Sequence, residues 1–157
     1  MKLWILPLLV LLAACGRSPE EAKKKLAEMK VPPTAESLIA KTKDAKSEDV
    51  AKMLVQAGVD PNARQENGMT ALMSAVFNGQ HEVAKVLLEK GAQVNADAGG
   101  YSALTLAVER GDKPMVELLL ANGAEARTRP GSGMSALEKA QQHEKTEMVK
   151  LLEKAAK

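Results

Sequence analysis

The chain has 157 residues, of which 45% are hydrophobic and 27% charged, with a mean hydropathy of −0.19. Its 22 Lys and Arg nearly balance 20 Asp and Glu, so no strong field draws nucleic acid or an anionic membrane, and the charge density excludes a membrane-embedded fold. One Cys and two His exclude a disulfide framework and a Cys-rich zinc module. The length suits a single domain able to bury about two-thirds of its unfolded surface. The aromatics are Trp4, Phe77 and Tyr101, so the core must be built from Leu, Val, Ala, Met and Ile.

Lys2 precedes an apolar run from Leu3 to Leu12, broken only by Pro7. The run is too short to span a bilayer, which takes about 20 residues, and fits the apolar region of an export signal. It ends in Leu12-Ala13-Ala14-Cys15. These four positions resemble the lipobox of bacterial lipoproteins. The resemblance implies that residues 1–14 are a cleaved signal peptide, with diacylglycerol on the Cys15 sulfur and a further acyl chain, such as palmitate, on the new amino group. Several chains anchor stably where one is marginal. An ordinary secretory signal with a coincidental Cys is the alternative. Asp directly after the Cys tends to retain such lipoproteins at the inner membrane; here Gly16 follows, which favours the periplasmic face of the outer membrane.

On that resemblance, residues 15–33 are expected to comprise the lipidated Cys, a short tether and a capping helix. Ser18-Pro19-Glu20-Glu21 has the form of a helix start, with Ser18 as cap, Pro19 in the first turn and Glu21 closing a capping box. Ala22, Leu26 and Met29 make a narrow apolar stripe opposite Lys23, Lys24 and Lys25, and Val31-Pro32-Pro33 ends the helix. The lysines are a solvated face or, alternatively, attract anionic headgroups beside the anchor.

From residue 34 to 157 the chain repeats itself. Thr70-Ala71-Leu72-Met73 matches Ser102-Ala103-Leu104-Thr105 and Ser135-Ala136-Leu137-Glu138 at spacings of 32 and 33, and Ser37-Leu38-Ile39-Ala40 lies 33 before Thr70. The units therefore start near 37, 70, 102 and 135. Thirteen residues into each, Val50, Val83, Met115 or Met148 opens a second amphipathic pattern. Gly58, Gly91 and Gly123 follow where a helix end takes a left-handed residue. Gly68, Gly100 and Gly133 sit two residues before the next hydroxyl, where the turn of a β-finger is expected.

This pattern resembles the ankyrin repeat, whose period is about 33 residues. The resemblance implies an all-α solenoid of four helix-turn-helix repeats with β-finger loops, preceded here by the short N-terminal helix. The family's Thr-Pro-Leu-His keeps its hydroxyl, but Pro is Ala throughout and His is replaced by Met73, Thr105 and Glu138. The usual Thr–His bond is therefore absent and a less rigid interior is expected. Repeats one and four place Lys46 and Glu144 where Gly79 and Gly111 separate the helices of repeats two and three. They are also more polar, at Lys41, Lys43, Lys139 and Gln141, as wet-faced caps of a solenoid would be.

Catalysis needs a nucleophile with its base, a carboxylate pair or a metal site. His81 and His143 stand at different repeat positions without a partner at metal spacing, and read as surface residues. Gly99-Gly100 and Gly131-Ser132-Gly133 match finger turns and lack the lysine and helix of a phosphate loop. Glu20-Glu21 and Glu48-Asp49 fall at helix starts, which the macrodipole favours. No catalytic residue, metal or small-molecule cofactor is expected.

What remains is a surface. In ankyrin proteins the finger tips and the outward side of each first helix hold protein partners. That resemblance nominates Arg64, Glu66, Asn67, Met69, Asp97, Ala98, Tyr101, Arg129, Ser132 and Met134 on fingers, and Phe77, Asn78, Glu109, Arg110, Gln142 and His143 on first helices. Both aromatics beyond the signal, Phe77 and Tyr101, fall at such positions in neighbouring repeats. A core without aromatics did not need them, and with Met69, Met134 and Arg110 they have hot-spot composition. The bland alternative has Phe77 packed between helices and Tyr101 stiffening its finger. The expected partner is an unidentified periplasmic or envelope protein, held as by an adaptor. The second reading is an immunity or self-protection inhibitor of a toxic envelope enzyme such as a phospholipase or peptidoglycan hydrolase.

Overall fold

A computed structural model describes residues 18–155; the expected signal peptide and Cys15 lie outside the described residues. Nine α-helices are present among them: α1 Pro19–Glu28, α2 Ala35–Lys43, α3 Glu48–Gln56, α4 Ala71–Phe77, α5 His81–Glu89, α6 Ala103–Arg110, α7 Lys113–Ala121, α8 Ala136–Gln142 and α9 Thr146–Ala155. A 3₁₀ turn, Ala45–Ser47, links α2 to α3, and β1 Asp97–Ala98 pairs antiparallel with β2 Tyr101–Ser102.

The four repeats are the pairs α2–α3, α4–α5, α6–α7 and α8–α9. Their first helices stack in one unbroken row, α2 on α4 on α6 on α8, while in the second row α3 packs on α5 and α7 on α9. Close approach in the first row follows from small residues at helical spacing. Ala71 and Ala75, Ala103 and Ala107, and Ala136 and Ala140 are all buried. The larger side chains between the rows are Leu54, Leu72, Met73, Leu87, Leu104, Met115, Leu119 and Leu152, each removed from water and each stabilising by about 1.5–3 kcal/mol relative to exposure. No aromatic contributes to this described core, as the composition requires.

Helix starts follow the hydroxyls. Ser18 and Glu21 close the capping box of α1. Thr70 accepts from the Met73 N–H, and Ser102 and Ser135 accept from those of Thr105 and Glu138. Two of the residues that replace the family's His make a capping bond of their own: Thr105 and Glu138 each accept in turn from the backbone N–H of their cap, a bond Met73 has no donor or acceptor of that kind to make. In repeat one the cap is Thr34, with Ser37 already inside α2, three residues earlier than the alignment with Thr70 predicts.

Three further expectations are corrected. Helix α1 stops at Glu28; Lys30 takes the left-handed conformation (φ 55°) and the Val31 N–H reaches back to the Leu26 carbonyl, a Schellman closure. Met29, the C-cap of the helix, is 44% exposed, while Ala22 and Leu26 bury against α3 and cover that end of the stack. Gly133 is not in the left-handed region, unlike Gly68 and Gly100. Its need is space: a Cβ there would overlap the Gly100 carbonyl oxygen and lie 2.8 Å from its carbon, because neighbouring fingers touch backbone to backbone.

Polar side chains bind each repeat to the next. Asn62 Oδ1 accepts from the Gln93 N–H at 2.8 Å, and 33 residues later Asn95 Oδ1 accepts from Glu125 at 3.0 Å while its Nδ2 donates to the Gly123 carbonyl at 3.0 Å. The open C-terminal carbonyls of the first helices are capped from the following repeat. Asn78 and Gln80 donate to Thr42 and Asp44, Arg110 to Phe77, and Lys145 to Val108 and Glu109. These bonds satisfy the orphan acceptors that every helix end leaves.

Candidate functional site: the groove between fingers two and three

Finger two returns through a bridge between Arg64 and Thr70, and finger three is the β1–β2 hairpin. Between them, over the α4 and α6 helices, lies a cavity of about 410 Å³ lined by Asn67, Met69, Met73, Phe77, Ala98, Gly99, Tyr101, Leu106 and Glu109. Phe77 is 54% and Tyr101 41% exposed. Neither is packed away, and both face the same cavity. Finger two also walls a second cavity of about 690 Å³, shared with Glu36, Ile39, Ala40 and Lys43 of repeat one, and Asn67 borders both.

The nominated residues divide into two groups. The cavity brings together Asn67, Met69, Phe77, Ala98, Tyr101 and Glu109, and Glu66 lies beside it in the second cavity. Asn78 is committed elsewhere: half-buried, it donates to the carbonyls of Thr42 and Ser74 at 2.8 and 2.9 Å. Arg110 donates to the Phe77 carbonyl at 2.6 Å and Arg64 to the carbonyls of Gly68 and Asp97, so both are inter-repeat staples with exposed remainders. Met134 is 44% exposed, and Gln142 and His143 are exposed, all outside the cavity lining. Leu106, Met73 and Gly99 line the cavity without having been nominated. They belong to the helix and turn pattern, and nothing in their local spacing marks one face as open.

Lys139 is a correction. Expected on the wet face of a terminal cap, it keeps only 11% of its side chain exposed, pairs with the Glu109 carboxylate and sets its Nζ 4.7 Å from the centre of the Tyr101 ring. His81, read as a surface residue, is exposed and bridges repeats through Nε2 to Asp112 Oδ1 at 2.9 Å. Among the described residues, no group of three or more His, Cys, Asp or Glu side chains is placed to hold a metal ion.

A family model for ankyrin repeats matches residues 37–130 and 97–157. The chain belongs to the ankyrin-repeat family. It is 46% identical over 43 residues to an ankyrin repeat-containing protein of Treponema pallidum, and 40% identical over 52 residues to one of Schizosaccharomyces pombe. Those matches cover 27% and 33% of this chain, and only 14% and 25% of the relatives' own lengths. Ankyrin repeats are protein-interaction modules, and the exposed groove lies where this domain's fingers meet its first helices.

The ankyrin domain holds its last finger by charge. Glu138 receives the Arg129 guanidinium through two bonds from Nε at 3.1 and 3.0 Å and one from a terminal nitrogen, and the Ser135 N–H at 2.9 Å. The Arg129 bonds, followed by those from Ser135, lower the Glu138 pKa from its ordinary 4.5 to about 2. The folded carboxyl therefore takes up a proton less readily than the unfolded one. Its contribution is complete above about 4.5 and lost as pH falls through about 2. The pair is exposed, so that contribution is modest. Glu138→Gln is expected to lower the melting temperature near neutral pH and to match the native chain by pH 2. A gap of constant size across that window would show that the amide fails through packing instead.

Proposed function

We propose that this protein is a lipid-anchored ankyrin-repeat module that grips a periplasmic or envelope protein through the groove between fingers two and three. The observation that carries the reading is the concentration of both Phe77 and Tyr101, half-open to solvent, on one apolar cavity. Aromatic anchors in a pocket are where binding energy concentrates. The anchor rests on Leu12-Ala13-Ala14-Cys15, with fatty acids on Cys15 and residues 1–14 removed. Gly16 favours outer-membrane sorting, facing the periplasm. The close spacing of Cys15 to the cap Ser18 keeps the domain near the bilayer.

Two measurements test this. The full chain, expressed in a bacterium that makes lipoproteins and fed labelled palmitate, is expected to carry label and to partition with membranes; Cys15→Ala loses both. An unlabelled native chain overturns the anchor. Cross-linked partner capture from intact envelopes, repeated with Phe77→Ala/Tyr101→Ala, tests the groove: partners retained by the double variant overturn it. A captured enzyme silenced stoichiometrically at nanomolar Kd would make the module an inhibitor rather than an adaptor.

A further inference from the structure

An aromatic ring beside a carboxylate is the usual makeup of a cation-binding pocket, because ring quadrupole and negative charge act together. Tyr101 and Glu109 provide that pair in this groove, yet the site is already filled from within. Lys139, reaching from α8, neutralises Glu109 and lies over the Tyr101 ring. Its ammonium is largely withdrawn from solvent. Of the charges nearby, Arg129 on finger four pairs with Glu138 of α8, while Arg64 and Arg110 donate to the backbone carbonyls of Gly68, Asp97 and Phe77; none of them is part of the cavity lining, where Glu109 is the one charged residue. With Glu109 neutralised, what the lining leaves for a partner is uncharged: the Phe77 ring, the open face of Tyr101 and the half-buried Met69 thioether, over a buried floor of Met73 and Leu106.

We propose that the groove takes an uncharged aromatic side chain from the partner, and that Lys139 is the residue setting this specificity, by acting as an internal cation that excludes basic anchors. The proposal rests on the groove being the contact surface. The Met69 thioether can adapt to a ring and make favourable sulfur–aromatic contacts with it. A lysine-bearing segment would have to displace Lys139 or approach it with like charge.

The probes are two peptides, acetyl-Ala-Gln-Trp-Gln-Ala-amide and acetyl-Ala-Lys-Trp-Lys-Ala-amide. The chain's one Trp is Trp4, so full-length protein carrying Trp4→Phe, in detergent, leaves the peptide indole as the reporter. The neutral peptide is expected to bind saturably with a blue shift, at least fivefold tighter than the lysine peptide, and equally well at low and high salt. Phe77→Ala should remove binding. Lys139→Met should reverse the preference by exposing Glu109, and Lys139→Met/Glu109→Gln should cancel the reversal. A ratio unmoved by Lys139→Met, including one where both peptides weaken together, overturns the inference, as does equal binding of the two peptides or no binding of either. If envelope partners still depend on Phe77 and Tyr101 in that case, only the specificity claim fails; if they do not, the groove itself fails.

Discussion

Gly133→Ala is expected to destabilise the domain by about 3 kcal/mol, the upper part of the range for forced overpacking. The added carbon would meet backbone on the neighbouring finger, at the Gly100 oxygen, at 2.8 Å from its carbonyl carbon and 3.0 Å from its Cα. No rotamer change relieves that overlap, so one finger must move away from the other. Gly91→Ala is the control. It has φ 86° and nothing within 4 Å of the added carbon, so its cost is the left-handed strain alone, about 1–2 kcal/mol. Denaturant unfolding of both variants separates the two mechanisms; equal losses, or a smaller loss at Gly133, contradict the contact. The displacement has a functional side as well. Gly100 precedes Tyr101 and Gly133 precedes Met134, so a shifted finger also opens the groove, and Gly133→Ala should weaken partner binding where Gly91→Ala does not.

Phe77→Ala and Tyr101→Ala should do the opposite, sparing the fold and costing the interaction. Each side chain is about half exposed, so stability should stay within about 1 kcal/mol of native. Truncating an anchor of a hot spot costs about 2 kcal/mol or more, or about 30-fold in Kd. Tyr101→Ala additionally frees Lys139 from its ring. Thermal unfolding and partner titration on the same preparations decide the matter. Large destabilisation with binding retained would make these residues packing elements of the stack.

Much of this domain was legible because repeats leave local signals. Hydroxyl caps, apolar spacing and glycine positions each recur, and the helices sit where those signals put them. The misreadings have specific causes. Thr34 and Ser37 are both competent caps, and only the observed helix start chooses Thr34. Met29 continues the apolar period, but the helix has ended at Glu28 and Met29 stands at its cap, 44% exposed. Gly133 shares its sequence position with Gly68 and Gly100 yet serves a contact with another finger, which no period discloses. Lys139 looks like a polar cap residue because its partners, Glu109 and Tyr101, lie 30 and 38 positions earlier. The cavity itself was half legible: family positions led to Phe77, Tyr101, Met69 and Glu109, while its floor at Met73 and Leu106 has the same spacing as the core.

The most direct measurement places a photoreactive amino acid at position 77 of the full chain in living cells, and in a parallel strain at position 85, where Lys85 is exposed on the second helix of the same repeat. Illumination is predicted to give a discrete protein adduct from 77 and none from 85. Matching adducts from both positions, or none from 77, would contradict a partner held in the groove.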